Sequence, residues 1–149
     1  MDSSALEKLK YYCAYQERSH KEVRTKLLSL EVYGYALEEI IACLIEENYL
    51  NEERYAAAIV RGKFKYKQWG RNKILQALKL QGVSSYCITQ GMQEIEEAEY
   101  VKTIQQLSEK KLATLSKEKN KFTKMNKLKN YLLQKGFEFE YISDVMKSM

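Results

Sequence analysis

The sequence predicts an all-α protein of three tandem three-helix repeats, about nine helices in an elongated, curved arrangement. Three observations carry that expectation. Proline is absent and glycine occurs only six times in 149 residues, so little interrupts helical pattern. Apolar residues recur at one-sided helical spacing along most of the chain. A glycine-centred pattern also comes three times: Leu30, Leu78 and Leu132 each precede by four residues a glycine, Gly34, Gly82 or Gly136. An apolar residue follows each glycine (Tyr35, Val83, Phe137), then an isoleucine (Ile40, Ile88, Ile142), then Leu44, Met92 or Met146.

The elements follow in order. Ser4-Ala-Leu-Glu7 has the capping-box pattern and opens a helix with Leu6, Leu9 and Cys13 on one side. Ser19-His-Lys-Glu22 repeats it at the start of a second helix, with Val23, Leu27 and Leu30 inward and Gly34 as its left-handed stop. Leu37, Ile40, Ile41 and Leu44 form the stripe of a third helix. Asn51 caps the next helix, which carries Tyr55 and Ile59; a helix through Leu78 ends at Gly82, and Ile88, Met92 and Ile95 mark the one after it. The last repeat begins with a longer helix holding Tyr100, Ile104, Leu107, Leu112 and Leu115. It continues through Met125, Leu128 and Leu132 to Gly136 and ends with Ile142 and Met146. Repeat boundaries are expected at residues 1–50, 51–96 and 97–149, the third carrying a Lys-rich insertion. Each repeat alone buries too little to be secure, so tandem packing is required.

Several classes of function are disfavoured. No phosphate-binding GxxxxGK[ST], GxGxxG, GxSxG or HExxH occurs, and His20 is the only histidine, placed beside a cap as an exposed first helical residue. The glutamate pairs at 38/39, 46/47, 52/53 and 96/97 read as solvated faces or first-turn acids. Cys13, Cys43 and Cys87 have neither disulfide nor metal-ligand spacing, and Cys43 and Cys87 fit as buried small hydrophobes. No catalytic residue, metal or cofactor is therefore expected. No apolar run approaches the roughly 20 residues of a membrane span. The N-terminal MDSSALEKLK lacks a secretory pattern, and a reducing cytoplasm is the expected setting.

Charge is the main pointer to function. Twenty-five Lys and Arg against twenty Asp and Glu leave a net +5. Arg61, Lys63, Lys65, Lys67, Arg71 and Lys73 follow one another without an acidic residue, interleaved with Phe64, Tyr66 and Trp69. Lys110, Lys111, Lys117, Lys119, Lys121, Lys124, Lys127 and Lys129 form a second basic stretch with Glu118 as its one carboxylate. Cations interleaved with aromatics suit phosphates, stacked bases or an acidic protein surface; as packing residues, Phe64 and Trp69 would instead leave the cations a solvated rim. The tyrosines at 11, 12, 15, 33 and 35 read mostly as half-buried packing residues.

The segment Tyr49-Leu-Asn-Glu-Glu-Arg-Tyr-Ala56 resembles the signature of the RecX regulatory protein family, with Arg18-Ser19, Glu22-Val23 and Lys26-Leu27 upstream. Gly70, Ile74, Leu78, Gly82 and Val83 follow downstream in the family's order. Asn51 and Glu52 stand where the family usually has Asp, and the Lys-rich insertion is a second departure. The resemblance implies a cytoplasmic bacterial modulator of RecA with three three-helix repeats. Such a protein binds in the groove of the RecA nucleoprotein filament and inhibits its ATPase, strand-exchange and coprotease activities in recombination, DNA repair and the SOS response. It also contacts single- or double-stranded DNA weakly and without sequence preference. A monomer without membrane association is expected. Candidate contact residues for RecA or DNA are Arg54, Arg61, Lys63, Lys65, Lys67, Trp69, Arg71, Lys73, Lys117, Lys119, Lys121, Lys124 and Lys127. The competing reading is a small basic helical DNA-binding protein that does not regulate RecA.

Overall fold

The computed structural model describes residues 1–149 and contains nine α-helices and no strand. In chain order these are α1 (Ser3–Tyr15), α2 (His20–Ser29), α3 (Gly34–Glu46), α4 (Glu52–Lys67), α5 (Arg71–Leu80), α6 (Ser85–Met92), α7 (Glu97–Thr114), α8 (Lys121–Gln134) and α9 (Phe139–Lys147). No helix is long and apolar enough to cross a membrane. The chain divides into two compact units, one of Met1–Ile59 with Ala77–Gly91, the other of Val60–Gln76 with Met92–Met149.

In the first unit, α1, α2 and α3 pack together. Leu9, Val23, Leu27, Ile40 and Leu44 are fully enclosed among them, joined by Cys13, Leu37, Ile41 and Leu50. The capping box at Ser19 forms as its sequence predicts: the Glu22 amide donates to the Ser19 hydroxyl oxygen and the Ser19 amide donates to Glu22. The same hydroxyl, 1% exposed, donates to Gln81 at 2.7 Å, so one buried group satisfies two segments. The helix α1 departs from expectation. Its N-cap is Asp2, whose carboxylate accepts from the Ala5 amide, and Ala5 replaces Leu6 on the buried face. A carboxylate at the N-terminus of a helix serves at least as well as a serine there.

The helix stops account for most of the repeat. At the end of α5, Gly82 lies at φ 73°, its amide donates to the Lys79 carbonyl, and the Val83 amide donates to the Leu78 carbonyl. At the end of α8, Gly136 lies at φ 99° with the same two bonds, to Leu133 and from Phe137 to Leu132. Both are Schellman stops, in which the apolar residue after the glycine folds back on the last turn. In the first repeat the residue in that role is Glu31, at φ 62°, and not Gly34. Its amide donates to the Leu28 carbonyl, the Val32 amide donates to the Leu27 carbonyl, and Val32 is buried. Aligning the first repeat on its only glycine therefore displaces it by three residues. The equivalent positions are Leu27, Leu78 and Leu132, then Val32, Val83 and Phe137, then Leu37, Ile88 and Ile142. Gly34, also left-handed at φ 63°, begins α3 instead.

Other expectations shift as well. Met92 ends α6, so Ile95 is buried from beyond that helix. Cys43 is half-buried rather than enclosed, while Cys13 and Cys87 are buried. His20 is half-buried at the first position of α2. Of the tyrosines read as packing residues, Tyr11, Tyr15, Tyr33 and Tyr35 are instead exposed, with 63–84% of their surface open.

In the second unit α7, α8 and α9 pack mutually, around Tyr100, Ile104, Leu128, Leu132, Phe137 and Ile142. One close approach has no tolerance. The Gly70 amide donates to the Lys135 carbonyl at 2.8 Å and the Asn72 amide to the Gly136 carbonyl at 2.9 Å. A Cβ on Gly70 would collide with the backbone of Gly136 and Phe137.

Two substitutions test this frame by thermal denaturation. Glu31→Gly relieves a side chain held in a left-handed turn and is expected to stabilise the protein by about 0.5–1 kcal/mol, seen as a higher Tm. Gly70→Ala is expected to cost about 3 kcal/mol, because the neighbour it meets is backbone and cannot rotate away. An unchanged Tm in either variant would contradict the corresponding geometry.

Candidate functional site

The turn between α4 and α5 presents the aromatic and cationic residues that the sequence singles out. Gln68, at φ 55°, reverses the chain after α4, and the Trp69 amide donates to the Lys63 carbonyl. The Trp69 ring then lies between two ammonium groups, Lys63 Nζ at 4.9 Å and Lys73 Nζ at 4.5 Å from its centroid. Both distances are within cation–π range. Lys135 joins them from the end of α8, its Nζ donating to the Lys67 carbonyl at 2.9 Å. Burial, with the positive charge of Lys73 nearby, lowers the Lys135 pKa from its ordinary value. No carboxylate lies within ion-pairing distance of Lys63, Lys67 or Lys73. Lys65 stands apart: its Nζ is 5.4 Å from the Tyr66 ring, and it lines a groove with Arg61 that also holds Glu94, Glu96 and Glu99.

The arginines have internal partners. Arg61 pairs with Glu94. Arg54 Nε donates to Glu17 at 2.7 Å, and its remaining nitrogens reach the side chain and carbonyl of Asn48 and the carbonyl of Tyr49. Asn48 is itself the left-handed stop of α3, at φ 63°. Arg54 therefore closes the negative end of that helix with one planar fork. The rest of the segment has matching tasks. Leu50 is 2% exposed, the Asn51 side chain caps α4 by accepting from the Arg54 amide, and Glu52 accepts from the Ser84 amide.

Arg71 is held more tightly. Its guanidinium bonds Glu138 at 3.2 Å and Glu97 at 3.0 Å and lies 4.0 Å from the Tyr100 ring. The Tyr100 hydroxyl donates to Glu138 and accepts the Arg71 amide, and the Tyr141 hydroxyl donates to Glu97. The hydrogen bond from Tyr141, with that from Arg71, holds the Glu97 carboxyl below its ordinary pKa. Burial first, and Glu138 second, push the Tyr100 phenol far above its usual range. The network locks α5 against α7 and α9.

The second basic stretch is arranged loosely. Lys117, Lys119 and Lys121 are exposed and Lys124 half-buried, while Lys127 pairs with Glu118 at 3.1 Å. Lys121 and Lys124 occupy the first turn of α8, the positive end of its dipole, where cations are unfavourable unless an anion joins them. Sequence reasoning missed two features: Lys135, which reaches the α4–α5 turn from far along the chain, and the exposed tyrosines of α1. The offset of Tyr11 and Tyr15 from the Leu9/Cys13 stripe was the available signal for the second. No group of three His, Cys, Asp or Glu side chains is placed to hold a metal ion.

These features define an all-α tandem-repeat protein whose most distinctive surface is cationic and aromatic. Two family models match the chain in order, "RecX, second three-helix domain" over residues 51–92 and "RecX, third three-helix domain" over residues 97–146. The chain belongs to the RecX family. It is 32% identical over 139 residues to the Regulatory protein RecX of Bacillus cytotoxicus, covering 93% of this chain and 51% of that protein. With the Regulatory protein RecX of Clostridium botulinum it shares 34% identity over 134 residues, 87% of this chain and 61% of that one. It thus spans roughly half to three-fifths of the length of these curated relatives. The crystal structure of RecX from Lactobacillus salivarius superposes with a TM-score of 0.88 at 29% identity, covering 98% of this chain and 94% of that one. A second crystal structure, of regulatory protein RecX, has the same fold at 19% identity and a TM-score of 0.88, over 97% of this chain and 72% of that one.

The Arg71 network makes a prediction with a definite sign. Glu97 has a lowered pKa when folded, so its stabilisation is complete above about pH 4.5 and is lost as pH falls below that value. Tyr100 has a raised pKa, so stability holds up to about pH 10 and declines above it, as the unfolded chain ionises first. Arg71→Met is expected to cost about 1–2 kcal/mol, mainly by depriving the partly buried Glu138 of its cation, since Glu97 faces solvent. Glu97→Gln is expected to flatten the acid limb of a Tm-against-pH profile while leaving the alkaline limb in place.

Proposed function

We propose that this chain binds the RecA nucleoprotein filament in the cytoplasm and inhibits its ATPase, strand-exchange and coprotease activities, acting as a monomer. Membership of the RecX family supports the reading, and its relatives are named regulatory proteins. The observation that carries it to residues is the α4–α5 turn. There Lys63 and Lys73 flank Trp69, Lys67 ends the helix just before it, and none of the three has a carboxylate of its own. A cluster of like charges around an aromatic raises the free energy of the unbound protein and is relieved by an acidic surface or by phosphates. Arg54 and Arg71 serve this function only by holding the elements that present the turn. On this reading the three repeats, at residues 1–50, 51–96 and 97–149, provide successive contact surfaces along the filament. Lys65, Lys117, Lys119, Lys121, Lys124 and Lys127 add a sequence-independent electrostatic contribution.

The second reading, a basic helical DNA-binding protein without a direct effect on RecA, is favoured by the unpaired cations at the start of α8. Salt separates the two. Binding that neutralises six to eight phosphates falls in log affinity by about 0.7–0.9 per contact for each tenfold rise in salt. Regulation by protein contact predicts that filament binding survives at salt concentrations that abolish DNA binding.

The experiment is the DNA-dependent ATPase of RecA from the same organism, with this protein titrated in at physiological salt. Inhibition well below one protein per RecA is expected. The triple variant Lys63→Glu, Lys67→Glu, Lys73→Glu is expected to need at least tenfold more protein, with its Tm unchanged. Absence of inhibition by the wild type would refute the RecA reading, and full inhibition by the triple variant would remove the turn from it.

A further inference from the structure

Between α1 and α2 lies an open groove of about 590 Å³ that none of the functions above uses. Its floor includes Leu30, and its wall is the tyrosine face of α1. Tyr11 and Tyr15 stand one helical turn apart with 75% and 73% of their surfaces exposed. Tyr12, between them in sequence, is covered: the Arg18 guanidinium lies 3.7 Å from its ring and donates from Nε to its carbonyl at 2.9 Å. Lys26 Nζ stands 5.6 Å from the same ring, and Arg18 is also 6.0 Å from the ring of Tyr15. Lys8 completes the rim. Lys8, Arg18 and Lys26 meet no carboxylate, and the groove's one acid, Glu7, leans toward Lys10 at 3.9 Å.

We propose that this groove binds single-stranded nucleic acid by stacking bases on Tyr11 and Tyr15, with Lys8, Arg18 and Lys26 facing the phosphates. Two exposed rings beside three cations, one of them held by a backbone hydrogen bond, are the elements of a sequence-tolerant strand site. The groove's net positive charge complements a polyanion, and the rings accept any base because every base has a flat apolar face. A duplex hides those faces inside its stack, so the site discriminates strand from duplex. With only three cations, binding here is governed by stacking and is weakly sensitive to salt, unlike the lysine-rich surfaces of the second unit. The site goes beyond the RecA reading and does not depend on it.

The test is fluorescence anisotropy of a labelled 15-nucleotide oligo(dT) with the full chain at 150 mM salt. Three competitors accompany it: the matching duplex, an abasic strand of equal length, and a poly-Glu peptide. The expected result is binding to oligo(dT) at least tenfold tighter than to duplex or abasic strand, with a log–log salt slope near −2. Tyr11→Ala with Tyr15→Ala is expected to weaken it at least tenfold, and Tyr11→Phe with Tyr15→Phe to retain it within about threefold, since both rings keep their faces. Equal binding of the abasic strand or the duplex, or an Ala double variant that binds as the wild type does, would overturn the proposal. Displacement of oligo(dT) only by the acidic peptide, with no dependence on bases, would do so too and would reassign the groove to a protein segment. None of these readouts involves RecA, so either proposal can fail while the other stands.

Discussion

At the end of the second helix of each repeat stands one left-handed residue, and the apolar residue behind it is driven back into the core. Glu31 with Val32, Gly82 with Val83 and Gly136 with Phe137 perform the same act. Each stop fixes where the next helix begins and therefore which of its faces meets the preceding one. A stop displaced by one residue would rotate the following helix by about 100° and turn Leu37, Ile88 or Ile142 away from its core. Two stops use glycine, for which the conformation is inexpensive. The first uses glutamate and accepts strain of about 1 kcal/mol, offset by the burial of Val32 behind it and Leu27 before it.

Arginine and lysine divide the work. Arg54 and Arg71 present planar forks to several acceptors at once, which suits closing a helix end or clamping two carboxylates in a fixed direction. Lys63 and Lys73 have no such geometry to satisfy and remain as compact charges beside Trp69. The segment from Tyr49 to Ala56 is accordingly a corner in which nearly every side chain has a structural task. A conspicuous sequence signature in a repeat protein can mark the joint that positions a surface, and not the surface itself.

Helix number, the absence of strands, the Ser19 capping box and the buried stripes of α3 and α7 were legible because each depends on residues within one or two turns of each other. The register of the first repeat was not legible, because glycine is the visible sign of a left-handed stop and Glu31 gives none. The same holds for α1, where Asp2 and Ser4 are both competent caps and only packing of Ala5 selects between them. At the site, sequence supplied the charges but not their partners. Arg54 meets Glu17 from 37 residues away and Arg71 meets Glu138 from 67, distances at which local pattern is silent. The tyrosines of α1 were misread for a related reason: aromatic residues at helical spacing look alike whether they fill a core or stand clear of it.

The contact between Gly70 and the end of α8 also has a bearing on how the chain is made. The Gly70 and Asn72 amides donate to the carbonyls of Lys135 and Gly136, and the Lys67 carbonyl accepts from a side chain 68 residues ahead. A ribosome delivers residues in order, so α1, α2 and α3 can assemble while this turn stays open until residue 136 has emerged. During that interval its cations and Trp69 are present but unorganised. The surface proposed for filament binding therefore matures only after α8 has been made, and a chain released short of residue 137 would carry the charges without the arrangement.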